Sequence, residues 1–177
     1  MALDRPKPSE ARGAATTIIA SVILFCISCN NSPTPTPSTT ASPRAPAGKV
    51  EWVKLPRGVE ASAFVRSEMQ RALGDKKKLV IYVGAASCEP CRRFHEAADA
   101  HALDAAFGDL RFIDLDHEED EAALVALSCE SQMIPLFALP TGDGRCSDRR
   151  VEGGIKGDGA VAYMSPRLRT LVGPWSP

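Results

Sequence analysis

The run Leu79-Val80-Ile81-Tyr82-Val83 is apolar throughout, bounded by Lys76-Lys77-Lys78 on one side and Gly84 on the other. A short apolar run closed by turn residues is the mark of a buried strand. A strand without a polar face needs cover on both sides, and that places it inside a layered α/β structure. Just beyond it the chain reads Cys88-Glu89-Pro90-Cys91, two thiols at the opening of an expected helix. The N-terminal end of a helix supplies unpaired N–H groups and a partial positive charge, which favour thiolate over thiol. Thiolate is the form that attacks disulfides. Taken alone, the four residues fit half of a zinc site equally well, so the surrounding pattern has to separate the two.

That pattern alternates. Residues 50–53 form a short extended entry, and 60–73 place Ala63, Phe64, Met69, Ala72 and Leu73 at helical spacing before Gly74. A helix is expected over 88–107, stopping at Gly108, then a strand over 110–115 and a helix over 119–129. Residues 135–139 are strand-like, Thr141-Gly142-Asp143-Gly144 is a turn, and 149–155 is a returning strand. A last helix spans 160–172, with Pro166 marking a bend or a later start. The order describes α/β layers with one antiparallel hairpin, and no internal repeat is visible.

The N-terminal part is different in kind. Residues 1–12 are weakly basic, and residues 14–27 are apolar apart from Thr16, Thr17 and Ser21. That run is short of the roughly 20 residues a membrane span needs, and has the length of a signal-peptide core. It ends in Cys26-Ile27-Ser28-Cys29-Asn30, which resembles the lipobox of bacterial lipoproteins. Ser28 and Ile27 suit the two positions before the modified Cys, whereas Cys26 stands where Leu is expected. The resemblance implies a signal peptide over residues 1–28, diacylation of Cys29, and a lipid anchor to a membrane outside the cytoplasm, in the periplasm. Two acyl chains suffice for stable attachment. Cleavage as an ordinary signal peptide and retention as a short anchor are the alternative readings. Residues 29–48 are Pro, Thr, Ser and Ala with almost nothing to bury, and read as an extended tether.

Residues 49–177 are then one domain, long enough for a real core. Without residues 1–28 the chain holds 18 basic and 20 acidic residues, a net charge of −2 that argues against nucleic acid as a partner.

With a C-x-x-C opening the helix after a central strand, and Ile134-Pro135 opening the hairpin, residues 50–173 resemble the thioredoxin superfamily. The resemblance implies a thioredoxin-like three-layer sandwich, a central mixed β-sheet flanked by helices. It implies that Cys88 is the nucleophile and Cys91 the resolving thiol of a redox-active disulfide. It also implies a cis Ile134–Pro135 bond facing the pair, with backbone groups free to bind an extended substrate. From the residues alone, a trans proline starting an edge strand fits as well. The implied activity is thiol–disulfide exchange with protein disulfide substrates, served by a membrane-associated redox partner and requiring no cofactor. Glu89 beside the thiols opposes thiolate formation and favours a reducing poise, with oxidation or isomerisation of disulfides as the other directions. Two positions depart from the family: Ser87 stands where Trp is common, and Tyr82 where many members have a buried Asp. That Asp assists proton transfer at the deeper thiol, whereas Tyr82 reads as a core residue with a polar tip.

Cys129 and Cys146 either pair, stabilising by roughly 2–4 kcal/mol, or stand as a core residue and an exposed loop thiol. His95, four residues after Cys91, could join Cys88 and Cys91 on zinc or copper. No second ligand pair exists, and His101 and His117 show no ligand spacing, so no metal is assigned and His95 reads as solvated or partly buried. A copper-handling or binding module that uses the fold without turnover remains the alternative function. The acidic run from Glu118 to Glu121 suits the first turn of a helix.

Overall fold

The computed structural model describes residues 48–173, so residues 1–28, Cys29 and the tether up to 47 lie outside the described residues. The elements are β1 (Glu51–Lys54), α1 (Ala61–Gly74), β2 (Lys78–Gly84), α2 (Glu89–Asp99), α3 (Asp104–Phe107), β3 (Leu110–Asp116), α4 (Glu121–Leu127), β4 (Leu136–Pro140), β5 (Cys146–Glu152) and α5 (Ala160–Val172). They build one five-stranded sheet in the order β1-β3-β2-β4-β5. Strands β1, β3 and β2 run parallel, while β4 is antiparallel to β2 and β5 to β4.

The apolar run 79–83 is explained by its place: β2 is the central strand, buried from Leu79 to Gly84. Its side chains alternate between two cores, as the period of two requires. Val80 and Tyr82 join Cys91, Phe94 and Ala98 of α2 and Met164 and Leu168 of α5. Leu79, Ile81 and Val83 join Val65 and Ala72 of α1 and Leu124 and Leu127 of α4. Each fully buried Leu, Ile, Val or Phe contributes about 1.5–3 kcal/mol, so neither layer of helices can be removed without exposing half of this strand. The result is a three-layer α/β sandwich of the thioredoxin-like arrangement. Among the described residues no helix is long and apolar enough to cross a membrane.

Helix α1 begins where Glu60 caps it, its carboxylate accepting from the backbone N–H groups of Ser62 at 2.9 Å and Ala63 at 2.7 Å. Those bonds, with the Ser62 hydroxyl, hold the Glu60 carboxyl below its ordinary range.

Four boundaries differ from the sequence expectation. The helix over 88–107 is two helices, because His101 adopts a left-handed φ of 60°. The Ala102 N–H bonds the Ala97 carbonyl and the His101 N–H the Ala98 carbonyl, both at 2.9 Å, a closed helix end. The His101 ring then meets the Asp104 carboxylate at 3.0 Å, while Asp104 also accepts from the Val50 N–H at 2.9 Å. Helix α4 starts after Glu119, because Asp116 Oδ1 captures the N–H groups of Glu118 and Glu119 in a turn of their own. It ends at Ser128, whose φ of 55° turns Cys129 off the helix. Strand β5 runs earlier than 149–155, because the turn closes tightly between Thr141 and Arg145 and Cys146 pairs directly with Pro140. Cys146 is therefore the first residue of a strand, not part of the turn.

Candidate active site

Strand β2 ends at Gly84, and Ala85 to Ser87 carry the chain up to Cys88, whose N–H bonds the Ala85 carbonyl at 3.1 Å. Cys88 is the N-cap of α2, in extended backbone conformation, and its Sγ accepts the Cys91 N–H at 3.2 Å. A sulfur thus occupies the position normally taken by a capping oxygen, at the positive end of the helix. Pro90 sits in the first turn, where its missing N–H costs no bond. Cys88 and Cys91 are joined as a disulfide with their Cα atoms 5.2 Å apart. The two differ sharply in access: Cys88 is partly exposed, whereas Cys91 is 2% exposed and packed in the core with Phe94.

The Ile134–Pro135 bond is cis. The Pro135 carbonyl accepts the Gly153 N–H at 2.9 Å, and this ties the proline to the loop that follows β5. The same loop lies on the dithiol helix. Gly154 approaches Pro90 so closely that a Cβ there would stand 2.8 Å from the proline Cβ, and the Gly157 N–H donates to Glu89 Oε1 at 3.1 Å. Four expected site residues are thereby gathered at one end of the sheet: Cys88 and Cys91 bonded to each other, and Ile134 and Pro135 joined to them through Gly153 and Gly154. Cys29, the fifth, lies outside the described residues.

Glu89 is less free than the sequence suggested. Besides the Gly157 N–H, its carboxylate has the Arg93 guanidinium at 3.8 Å, and Arg93 also reaches Asp158 at 3.3 Å. Ser87 is hydrogen-bonded to Glu118 at 3.2 Å.

On the other flank of α2 a cleft of about 810 Å³ opens, lined among others by Trp52, Tyr82, Gly84, Cys91, His95 and Asp114. Tyr82 is fully buried, and its ring leans along β2 until the hydroxyl lies over Gly84, where a Cβ would be only 2.6 Å from that oxygen. Burial pushes the phenol well above its ordinary range, and the nearby Asp114 and Asp116 carboxylates push it further. His95 stacks on Trp52 with ring centroids 4.1 Å apart, meets the edge of Tyr82 at 5.1 Å, and has Nε2 3.6 Å from the Asp114 carboxylate. The part played by Trp52 was not legible in the chain order, since it arrives from β1, whose partner is β3 and not β2. The only available signal was the spacing of Cys91 and His95, which puts both on one face of α2.

Cys129 and Cys146 form a second disulfide, with Cα atoms 5.3 Å apart. Both are buried in the core beneath α1 and α4, on the opposite face of the sheet from Cys91. Among the described residues no three His, Cys, Asp or Glu side chains gather as a metal-binding group.

Fold and site together define a class: a thioredoxin-like α/β sandwich carrying a helix-capping Cys-x-x-Cys disulfide. No protein-family model matches the chain, and no curated protein matches it.

Proposed function

We propose that this protein is a thiol–disulfide oxidoreductase that reduces protein disulfides outside the cytoplasm. The observation that carries the reading is the placing of Cys88: a partly exposed sulfur at a helix N-terminus, accepting the Cys91 N–H and bonded to a buried partner sulfur. In the reduced protein that N–H and the helix end stabilise the Cys88 thiolate. The thiolate attacks one sulfur of the substrate disulfide, whose S–S bond breaks, and the departing sulfur takes up a proton. Cys91 then loses its proton and attacks Cys88 Sγ, and the second substrate sulfur leaves. Two electrons pass from the dithiol to the substrate, and the Cys88–Cys91 bond is restored. Ile134 and Pro135 are the backbone rail along which the substrate strand lies.

Reduction is the proposed direction because a carboxylate, Glu89, adjoins the thiols, with its charge shared by Arg93 and Gly157. A membrane-associated dithiol donor would recharge the pair. The location is proposed from the lipobox-like Cys29 and the tether over 29–48, and the second disulfide suits an oxidising compartment. Insulin reduction driven by dithiothreitol tests the activity. The wild type accelerates it, and Cys88→Ser reduces the rate to the uncatalysed level; equal rates for the two would refute the reading.

A further inference from the structure

The cleft beside α2 holds a group that the exchange reaction, as described, leaves unused. Tyr82 and Trp52 both line it, and their hydroxyl and Nε1 are buried with no hydrogen-bond partner among the described residues. Burying a hydroxyl without a bond costs about 1–3 kcal/mol, so the fold carries a cost at this wall of the cleft. The Tyr82 side chain is fully buried, and Cys91 lines the same wall. His95 stands one helical turn beyond Cys91 on that face, where i and i+4 side chains are about 5–6 Å apart. Its ring is held on three sides: flat against Trp52, edge-on to Tyr82, and with Nε2 towards Asp114. It is one-third exposed, so protons can leave to bulk water.

We propose that His95 is the proton carrier for the resolving thiol Cys91, acting through water in the cleft that both residues line, with Tyr82, Trp52 and Asp114 as positioning residues. The inference rests on the exchange reading above and deepens it. In the mixed disulfide, Cys91 Sγ–H gives its proton through water in the cleft to the imidazole. The thiolate so formed attacks Cys88 Sγ, the bond from Cys88 to the substrate sulfur breaks, and that sulfur leaves with the electron pair. The imidazolium returns the proton to the leaving sulfur or to solvent. Cys91, 2% exposed, meets solvent only at this cleft, whereas Cys88 is partly exposed. The other charged groups facing the cleft are Arg92, Glu96 and Asp99 from α2, Asp116 from β3, Lys54 and Arg57 from β1 and the loop after it, and Glu119 and Asp120 ahead of α4. None of them combines a place on the Cys91 face of α2 with the power to take and release a proton near neutrality, which is an imidazole property.

The two sulfur steps can be watched separately with 5,5′-dithiobis(2-nitrobenzoate) on the reduced protein. The first thionitrobenzoate is released when Cys88 attacks, the second when Cys91 attacks the mixed disulfide. In the wild type the second release is expected to rise with pH, because only the thiolate of Cys91 attacks. In His95→Gln it slows by about tenfold or more at neutral pH and is rescued by added imidazole, which a merely structural role would not allow. Tyr82→Phe provides a second probe: loss of an unsatisfied buried hydroxyl leaves folding stability equal or higher, yet the second release slows several-fold. A second release that is unchanged in both variants, or that imidazole fails to rescue in His95→Gln, overturns the proton-carrier role while leaving the exchange reading intact. Absence of the first release, or its survival in Cys88→Ser, overturns both.

Discussion

Cys88 is at once the cap of α2 and the accessible member of the pair, and Cys91 is its buried complement. This asymmetry makes the two single substitutions unequal. Cys91→Ser retains the attacking thiolate and loses the step that releases substrate, so incubation with oxidised insulin should accumulate a covalent mixed disulfide on non-reducing gels. Cys88→Ser should accumulate none, and adducts of similar yield in both would show that the roles are not divided this way. At Gly84 the constraint is steric: the Tyr82 hydroxyl occupies the space a Cβ would need. Gly84→Ala therefore forces the ring from its place and should cost about 1–3 kcal/mol in a urea titration. Glu68 is the one charged side chain among the fully buried residues described, held by Arg71 at 2.6 Å and Arg111 at 3.6 Å. Arg111→Met leaves that carboxylate, and Glu51 and Asp75, short of a partner, and should cost about 3–5 kcal/mol.

At the scale of elements, the second disulfide ties the segment after α4 to the start of β5 across 17 residues. A loop of that size corresponds to roughly 3 kcal/mol of stabilisation. Replacing Cys129 and Cys146 together by Ala should lower the unfolding free energy by about 2–4 kcal/mol and leave insulin reduction close to wild type, since the two disulfides lie on opposite faces of the sheet. A parallel loss of activity in the folded double variant would couple the two disulfides and contradict this separation. The element order was legible because β2 is apolar on both faces and Gly74, Gly84 and Gly108 punctuate the chain. What was not legible were the two helix ends made by non-glycine residues, His101 and Ser128 in left-handed conformation. Nothing in composition announces those, because their cause is the hydrogen bonding of the closed helix end and, at His101, the meeting with Asp104. The dithiol was visible as a local pattern. The Trp52–His95–Asp114 group was not, because it joins three elements distant in sequence, and only folding brings them together.

For the whole molecule, acid stability follows from the ion pairs at the Glu51 end of the sheet. Burial alone would push the Glu51 carboxyl up, but Lys77 and Arg111 together hold it below its ordinary 4.5. A depressed carboxylate stabilises the fold above its unfolded value, and that contribution is lost as pH falls through the folded one. Stability measured by urea titration should therefore decline below about pH 4.5, and Glu51→Gln should flatten that part of the decline. Membrane attachment is a property of the whole chain and is proposed to depend on one residue. Cys29→Ala should move the protein from the detergent phase to the aqueous phase in a phase-separation assay, whereas an unchanged partition would exclude lipidation at that residue. The most direct measurement of the central claim is equilibration of the folded protein across a series of glutathione or dithiothreitol redox buffers, with thiols alkylated and located by mass spectrometry. The expected result is a reversible two-electron transition at Cys88 and Cys91 while Cys129 and Cys146 stay oxidised. A Cys88–Cys91 disulfide that fails to exchange, or that is reduced only after the buried pair, would contradict it.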